Sequence, residues 1–436
     1  MGSSLWMPLA RAETHGHKIS RGRGVYLYDT EGRKYIDANS GLWNVSLGYA
    51  EENIMSAVKE QMERLYYVNP CEFTTETAER LADTLLSLLP EGMSRCLFTC
   101  SGSESIETAV KIIRRYQILK GHYTRDTIAV IKHSYHGNFY GGMSASSYER
   151  HTAKGYGPLL EGFAEISVPF DRECSPDRIM DTYGSLMYEE LNRIEASLAG
   201  VIIEPVLGSA GVIPIPVEWM DRLMEYCRSR DIPVVSDEVA TGFGRTGRMF
   251  VSGRLDNPPD IITMSKGINN GILPFGAAAV SDKIEKAFLK ANEPLFHLST
   301  QNCNPVCCAA ASELIRLLTY NDEAVLDRAE GTGGYLEEQF GKQLKSCRIF
   351  HSIRRAGLMI AIELKNLQGG FLSSYELFSL KENIKRNGVI LEWAWVNRVT
   401  SCLVLFPMFI TGKEECDTIL SVVSGEIRKL ARRMGG

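Results

Sequence analysis

The 436-residue sequence predicts an α/β protein in which a mainly parallel sheet is covered by helices on both faces. Three observations carry that prediction. Continuous apolar runs of strand length recur along the chain, as strands buried on both faces require. Helical patterns fill the intervals between them. Each run is followed at once by a polar or glycine-rich cluster, and ligands of such sheets collect at the carboxyl ends of the strands.

The elements follow in order. Residues 25–37 read as a β-hairpin turning at Glu31-Gly32, unlike anything later in the chain. Cys96-Leu97-Phe98 then precedes Thr99-Cys100-Ser101-Gly102-Ser103, and Ile128-Ala129-Val130-Ile131 precedes His133-Ser134-Tyr135-His136-Gly137. Val201-Ile202-Ile203 runs into Glu204-Pro205, Ile232-Pro233-Val234-Val235-Ser236 into Asp237-Glu238, and Ile261-Ile262-Thr263-Met264 into Ser265-Lys266-Gly267. A helix starts after Ser101: Ser101 and Glu104 have capping-box spacing, and Ile106, Ala109, Val110 and Ile113 recur as one buried face. Beyond about residue 310 the pattern changes to longer helices, with strands near 358–364 and 403–406. The expected organisation is an N-terminal segment (1–60) that joins a small domain, a large cofactor-binding domain (61–308), and a C-terminal segment (309–436) that completes the small domain.

Composition narrows the partners. Hydrophobic content of 44%, charged content of 23% and a net charge of −5 lack the basic excess that nucleic acid or an anionic membrane surface would need. No apolar stretch approaches the roughly 20 residues of a membrane span, so a cytoplasmic protein is expected. Eleven cysteines without paired spacing read as reduced thiols, and Cys303, Cys307 and Cys308 as small residues of a packed helix rather than metal ligands.

Lys266 and Asp237 carry the chemistry. They end successive apolar runs 29 residues apart, so two strands deliver an amine and a carboxylate into one region. A lone lysine is nearly always a surface charge. Here small and apolar residues surround it in sequence, from Gly267 to Ala279, an environment that depresses an amine's pKa and makes it nucleophilic. A pyridoxal phosphate enzyme needs such an amine for its Schiff base and such an anion to keep the pyridine nitrogen protonated. The glycine and serines at the start of the helix after Ser101 suit its phosphate, because free N–H groups and the helix dipole favour an anion there. A rival motif, Gly242-Phe243-Gly244-Arg245-Thr246-Gly247, matches the dinucleotide fingerprint G-x-G-x-x-G. It is a weak match, because Asp237-Glu238-Val239 separates it from the strand and no helical pattern follows.

Taken in order, Ser101-Gly102-Ser103-Glu104-Ser105-Ile106-Glu107-Thr108-Ala109, Tyr135-His136-Gly137, Glu204-Pro205-Val206, Asp237-Glu238-Val239 with the glycine motif after it, and Ser265-Lys266-Gly267 resemble the signature of class III aminotransferases. These are pyridoxal 5'-phosphate enzymes of fold type I. The resemblance implies a seven-stranded, mainly parallel sheet sandwiched by helices, with a small α+β domain built by both chain ends. It implies Lys266 as the Schiff-base lysine and Asp237 as the partner of the ring nitrogen. Ser101, Gly102 and Ser103 would line the phosphate, and Tyr135 and Val239 would cover the two ring faces. His136 and Glu204 would stand beside the cofactor, and Thr300 would reach the phosphate of a neighbouring subunit in a homodimer with shared sites. On position alone, Tyr135 reads equally as a packed core aromatic, and Thr300 reads as a cap for a helix at Asn304-Pro305.

Residues 40–45 and 204–212 resemble the omega-amine branch of that family. There the tryptophan matching Trp43 lines the substrate pocket. Ornithine-type members have an acidic residue where Ser209 stands and an arginine where Val404 stands, a carboxylate clamp missing here. Arg398 in the same late segment is a candidate mobile replacement. The implied reaction is a ping-pong transfer of an amino group between an amine or amino acid donor and a ketone or aldehyde acceptor, with acceptors as large as a biosynthetic intermediate compatible. Aminomutases and decarboxylases on the same scaffold are the alternative.

Overall fold

The computed structural model describes residues 4–10, 14, 16–148, 150, 153–168, 176–320 and 324–435. Its centre is a seven-stranded sheet in the spatial order Met93–Thr99, Gly276–Ser281, Ile261–Met264, Val234–Asp237, Leu198–Ile203, Thr127–Ile131, Phe163–Ile166. Gly276–Ser281 runs antiparallel to both neighbours, and the other six strands share one direction. All five apolar runs are strands of this sheet, so their polar clusters meet at one edge. Leu198–Ile203 is buried along its whole length, which explains why it alternates nowhere.

Two strands lie outside the runs anticipated from sequence. Phe163–Ile166 is short and half exposed. Gly276–Ser281 is half alanine, a poor strand former, and opens on a glycine that serves close approach. A Cβ on Gly276 would fall 2.6 Å from Thr99 Oγ1 and 2.8 Å from the Ser101 carbonyl. The helix Gly102–Leu119 buries Ile106, Ala109, Val110 and Ile113 in one core with Ile128, Val235 and Ile261, as its periodicity predicts. Burying each large aliphatic side chain there is worth roughly 2 kcal/mol.

Both chain ends build further sheets. The hairpin strands Tyr26–Asp29 and Lys34–Asp37 turn at Gly32, whose φ of +83° only glycine adopts without strain. Asp29 Oδ1 accepts the Glu31 and Arg33 N–H groups at 2.9 and 2.8 Å inside that turn. Lys34–Asp37 then pairs in parallel with Val389–Ile390. A second four-stranded sheet joins Phe350–Ala356, Met359–Leu364, Thr400–Leu405 and Glu392–Val396 in that spatial order, and shares a core containing Ile36, Leu336, Ile360, Leu403 and Ile427. Among the described residues, no helix is long and apolar enough to cross a membrane.

The helix Pro305–Thr319 is capped by Asn304, whose side chain accepts the Val306 and Cys307 N–H groups at 2.9 and 3.2 Å, with Pro305 in its first turn. Cys307 and Cys308 are packed among Ile54, Phe98 and Leu314 in its core. The Gly242–Gly247 segment forms turns instead of a strand-to-helix junction. Its glycines serve packing: a Cβ on Gly244 would fall 2.2 Å from Leu326. Arg245 is fully buried there, donating to the Pro407 carbonyl at 2.6 Å and to Ser46 Oγ at 3.4 Å, which ties this turn to both terminal segments.

Candidate active site

Lys266 follows the strand Ile261–Met264 and opens a short 3-10 turn, Lys266–Asn269, with φ +33°, a backbone that lysine rarely adopts. The preceding Ser265 anchors the chain by donating to the Phe275 carbonyl at 2.6 Å. Lys266 is half-buried, and its Nζ lies 4.5 Å from the centroid of the Trp43 ring. Burial pushes its amine below the ordinary lysine range, while Asp237 and Glu204 oppose that shift.

Asp237, buried at the end of Val234–Asp237, is held by three donors. Oδ1 accepts the Val239 N–H and the Thr263 hydroxyl, each at 3.1 Å, and Oδ2 faces His136 Nδ1 at 2.7 Å. A carboxylate offers about four lone-pair positions, so one remains for the ring N–H of a ligand. The contact places a proton on His136 Nδ1, and the buried Nε2 of that ring has no hydrogen-bond partner.

Glu204 follows the neighbouring strand. Its carboxylate accepts the Tyr135 N–H at 2.6 Å and the Gly208 N–H at 3.4 Å, thereby fixing two loops at once. Burial pushes its carboxyl up to about 7; His136 opposes the rise and Asp237 adds to it. Tyr135 stays half-buried and outside every core cluster of the described residues, unlike a packed core aromatic. Its phenol is raised by burial, with Glu204 and Asp237 adding to the effect.

Ser101 caps the helix Gly102–Leu119. Its Oγ accepts the Glu104 N–H at 3.2 Å and its carbonyl accepts the Ser105 N–H at 3.0 Å. The N–H groups of Gly102 and Ser103 therefore stand at the open end of the helix without intrahelical partners. The Glu104 carboxylate passes the cap residue and takes the Cys100 N–H at 2.9 Å instead, so the anticipated capping box is only half formed. A Cβ on Gly102 would fall 2.7 Å from Val239 Cγ1, and one on Gly137 would fall 2.3 Å from Ser103 Oγ. Donors for a phosphate, a bare backbone beside them, Val239 and the open lone pair of Asp237 together fit pyridoxal phosphate.

Trp43 forms the opposite wall. It stacks on Phe406 at 4.2 Å and 10°, and its indole N–H donates to Asn39 Oδ1 at 3.1 Å. Behind the pair lies an apolar cluster of Val206, Val212, Met359, Cys402 and Val404. Arg354, missed in the sequence, is buried at its border, where Nε donates to the Gly211 carbonyl at 2.7 Å and Nη2 meets Glu363 Oε2 at 2.7 Å. Ser209 is half-buried in the intervening loop. Arg398 is exposed at the tip of the hairpin joining Glu392–Val396 to Thr400–Leu405, with φ +59°. Thr300 is exposed in the turn before Asn304 and caps nothing, since Asn304 is the cap. Thr263, Phe406 and Asn39 were also missed. Thr263 sits at a strand position that reads as core, and nothing in the sequence joins 39 or 406 to 43.

The family model for class III aminotransferases matches residues 9–426. The chain belongs to that family. It is 32% identical to an omega-aminotransferase of Caulobacter vibrioides over 96% of both proteins. It is 29% identical to a putrescine–pyruvate aminotransferase of Pseudomonas aeruginosa, over 93% of this chain and 89% of that protein. Among solved structures, an (S)-enantioselective omega-transaminase from Thermomicrobium roseum superposes with a TM-score of 0.90 at 29% identity, covering 97% of this chain and 96% of the other. This aminotransferase thus has fold type I, takes pyridoxal phosphate as cofactor and transfers amino groups between small-molecule amine and keto substrates. Nothing in these likenesses favours the aminomutase or decarboxylase alternative.

Proposed function

We propose that this aminotransferase acts on omega-type amines in a site shared across a homodimer, with Lys266 as its covalent and proton-moving residue. Bound there, pyridoxal phosphate supplies the carbonyl with which amines condense and a ring that withdraws electrons. Lys266 Nζ would hold it at rest and would move the proton of the substrate carbon that bears nitrogen; its lowered pKa favours the neutral, nucleophilic amine. Asp237 would hold the ring nitrogen protonated, and His136 with Thr263 holds Asp237. Gly102 and Ser103 would take the phosphate, Tyr135 and Val239 would cover the ring faces, and Thr300 would reach the neighbouring subunit's phosphate.

The observation that carries the substrate class is the buried Val404 in the apolar cluster behind Trp43 and Phe406. Among the described residues, the arginines beside that wall are committed elsewhere, Arg354 to Glu363 and the Gly211 carbonyl and Arg245 to the Pro407 carbonyl, so no fixed cation is left for a substrate carboxylate. An amine with an uncharged or distant second group suits such a wall. The likeness to enzymes named for omega-amines and for putrescine supports this reading. Arg398 serves carboxylate donors from its hairpin tip. A panel of amines, diamines and α-amino acids tests the reading through loss of the yellow absorbance of the bound cofactor in single half-reactions. Uncharged amines and diamines are expected to bleach it; bleaching by α-amino acids alone would overturn the substrate class. Lys266→Ala is expected to lack the covalent band altogether. Unchanged affinity for every carboxylate donor in Arg398→Ala would remove Arg398 from the site.

A further inference from the structure

Glu104 joins two pieces of chain with different duties. It is only 7% exposed, yet it belongs to the first turn of the phosphate-facing helix. Oε2 accepts the Cys100 N–H at 2.9 Å, and its own N–H meets Ser101 Oγ at 3.2 Å, so it shapes the cradle of its own subunit. Oε1 accepts Asn302 Nδ2 at 3.0 Å and His297 Nε2 at 3.1 Å, nearly two hundred residues away. Asn302 in turn closes the turn that carries Thr300: its Oδ1 accepts the Ser299 N–H at 2.5 Å, and its N–H donates to the Ser299 carbonyl at 3.0 Å.

The segment around His297 alternates. His297 and Ser299 face inward, to Glu104 and to Cys100 Sγ at 3.4 Å, while Phe296 is 91% exposed, Leu298 62% exposed and Thr300 exposed. Burial alone would raise the Glu104 carboxyl, but hydrogen bonds from Asn302, Cys100 and His297 outweigh it and hold it below the ordinary range. The residue is therefore an anion at neutral pH with donors from both pieces converging on it.

We propose that Glu104 is a positioning residue that couples the two phosphate sites of the dimer: one carboxylate oxygen sets the cradle of its own subunit, and the other sets the Thr300 arm offered to the neighbour. This rests on the reading that Thr300 completes the neighbouring site. The sites are then linked in both directions, since each cradle is braced by the same side chain that braces the other subunit's missing donor.

Heterodimers, purified through a tag on one subunit, separate the two duties. One subunit carries Lys266→Ala and is silent in the yellow band, so only the other reports cofactor loss during dialysis against inorganic phosphate. Glu104→Ala in the reporting subunit and, separately, in the silent one should each speed that loss about tenfold, as expected when hydrogen bonds to a charged group are removed. Asn302→Ala frees the arm without touching the Ser101 cap, so it should act only from the silent subunit; it decides the matter alone if Glu104→Ala does not fold. A Glu104 effect confined to the reporting subunit would overturn the proposal and leave Glu104 a local helix brace. Thr300→Ala in the silent subunit is the control. If it has no effect, the shared-site reading itself falls; if it accelerates loss while Glu104→Ala and Asn302→Ala in that subunit do not, only the coupling falls.

Discussion

Glu204 is buried beside His136, Asp237 and Lys266, and its environment makes pH a probe of the site. The Glu204 carboxyl is raised from 4.5 to about 7, so between those values the folded protein holds a proton that the unfolded chain has released. Stability of the cofactor-free enzyme should therefore fall as pH rises from about 4.5 to about 7, by on the order of a few kcal/mol, and then level off. Glu204→Gln keeps an acceptor for the Tyr135 N–H and should flatten that part of the profile. Urea unfolding at several pH values reads both; an equal slope in the two proteins would mean that Glu204 is already ionised. Lys266 and Asp237 were legible in the sequence because each ends a continuous apolar run, and the strand direction does the rest. The grip of Thr263 on Asp237 was not legible, since a threonine within an apolar strand looks like core until its neighbour strand is known. The Trp43–Phe406 stack joins residues more than 350 positions apart and had no local signal.

The elements read from sequence were those whose side chains are buried on both faces or on one clear stripe. The helix Gly102–Leu119 declared itself through periodicity and its serine cap. Gly276–Ser281 did not, because Gly276 answers to the neighbouring helix start and its alanines are poor strand formers. The glycine motif 242–247 illustrates the same limit from the other side: its pattern invited a nucleotide reading, while its glycines are needed for contact between segments. Gly357 is the other half of that contact. Its φ is +59°, and a Cβ would fall 2.3 Å from the Thr246 carbonyl carbon and 2.5 Å from the Gly247 nitrogen, both backbone atoms that cannot swing aside. Gly357→Ala should destabilise the protein by about 3 kcal/mol or more through overpacking and backbone strain. Chemical denaturation measures this, and a loss below about 0.5 kcal/mol would show that the two segments separate freely.

At the scale of the whole molecule, the exposed side chains of Phe296 and Leu298 flank Thr300 on a segment whose inner face is fixed. Large exposed apolar groups gathered in one patch mark an interaction surface. The shared-site reading predicts a dimer by light scattering, with Phe296→Glu shifting it towards monomer and hastening loss of cofactor. A Phe296→Glu protein that stays dimeric and retains its cofactor would move the interface elsewhere. In the sequence, assembly is expected only through the resemblance that brings Thr300 into view. An outward-facing phenylalanine has no pattern of its own, and its exposure is a property of the folded chain.

Trp43 stands in the left-handed region, at φ +68°, between Gly41 at +67° and the Asn44 turn. That backbone is natural to glycine and strained for an indole. A bulky indole thus stands where the chain itself asks for the smallest residue. Replacement at this position sacrifices the stack on Phe406 and the contact with Lys266 Nζ but relaxes the main chain, and it leaves the cradle and the sheet untouched. On the proposed reading, in which Trp43 lines the substrate pocket, the breadth of accepted substrates is adjustable at a position outside both the sheet and the phosphate cradle.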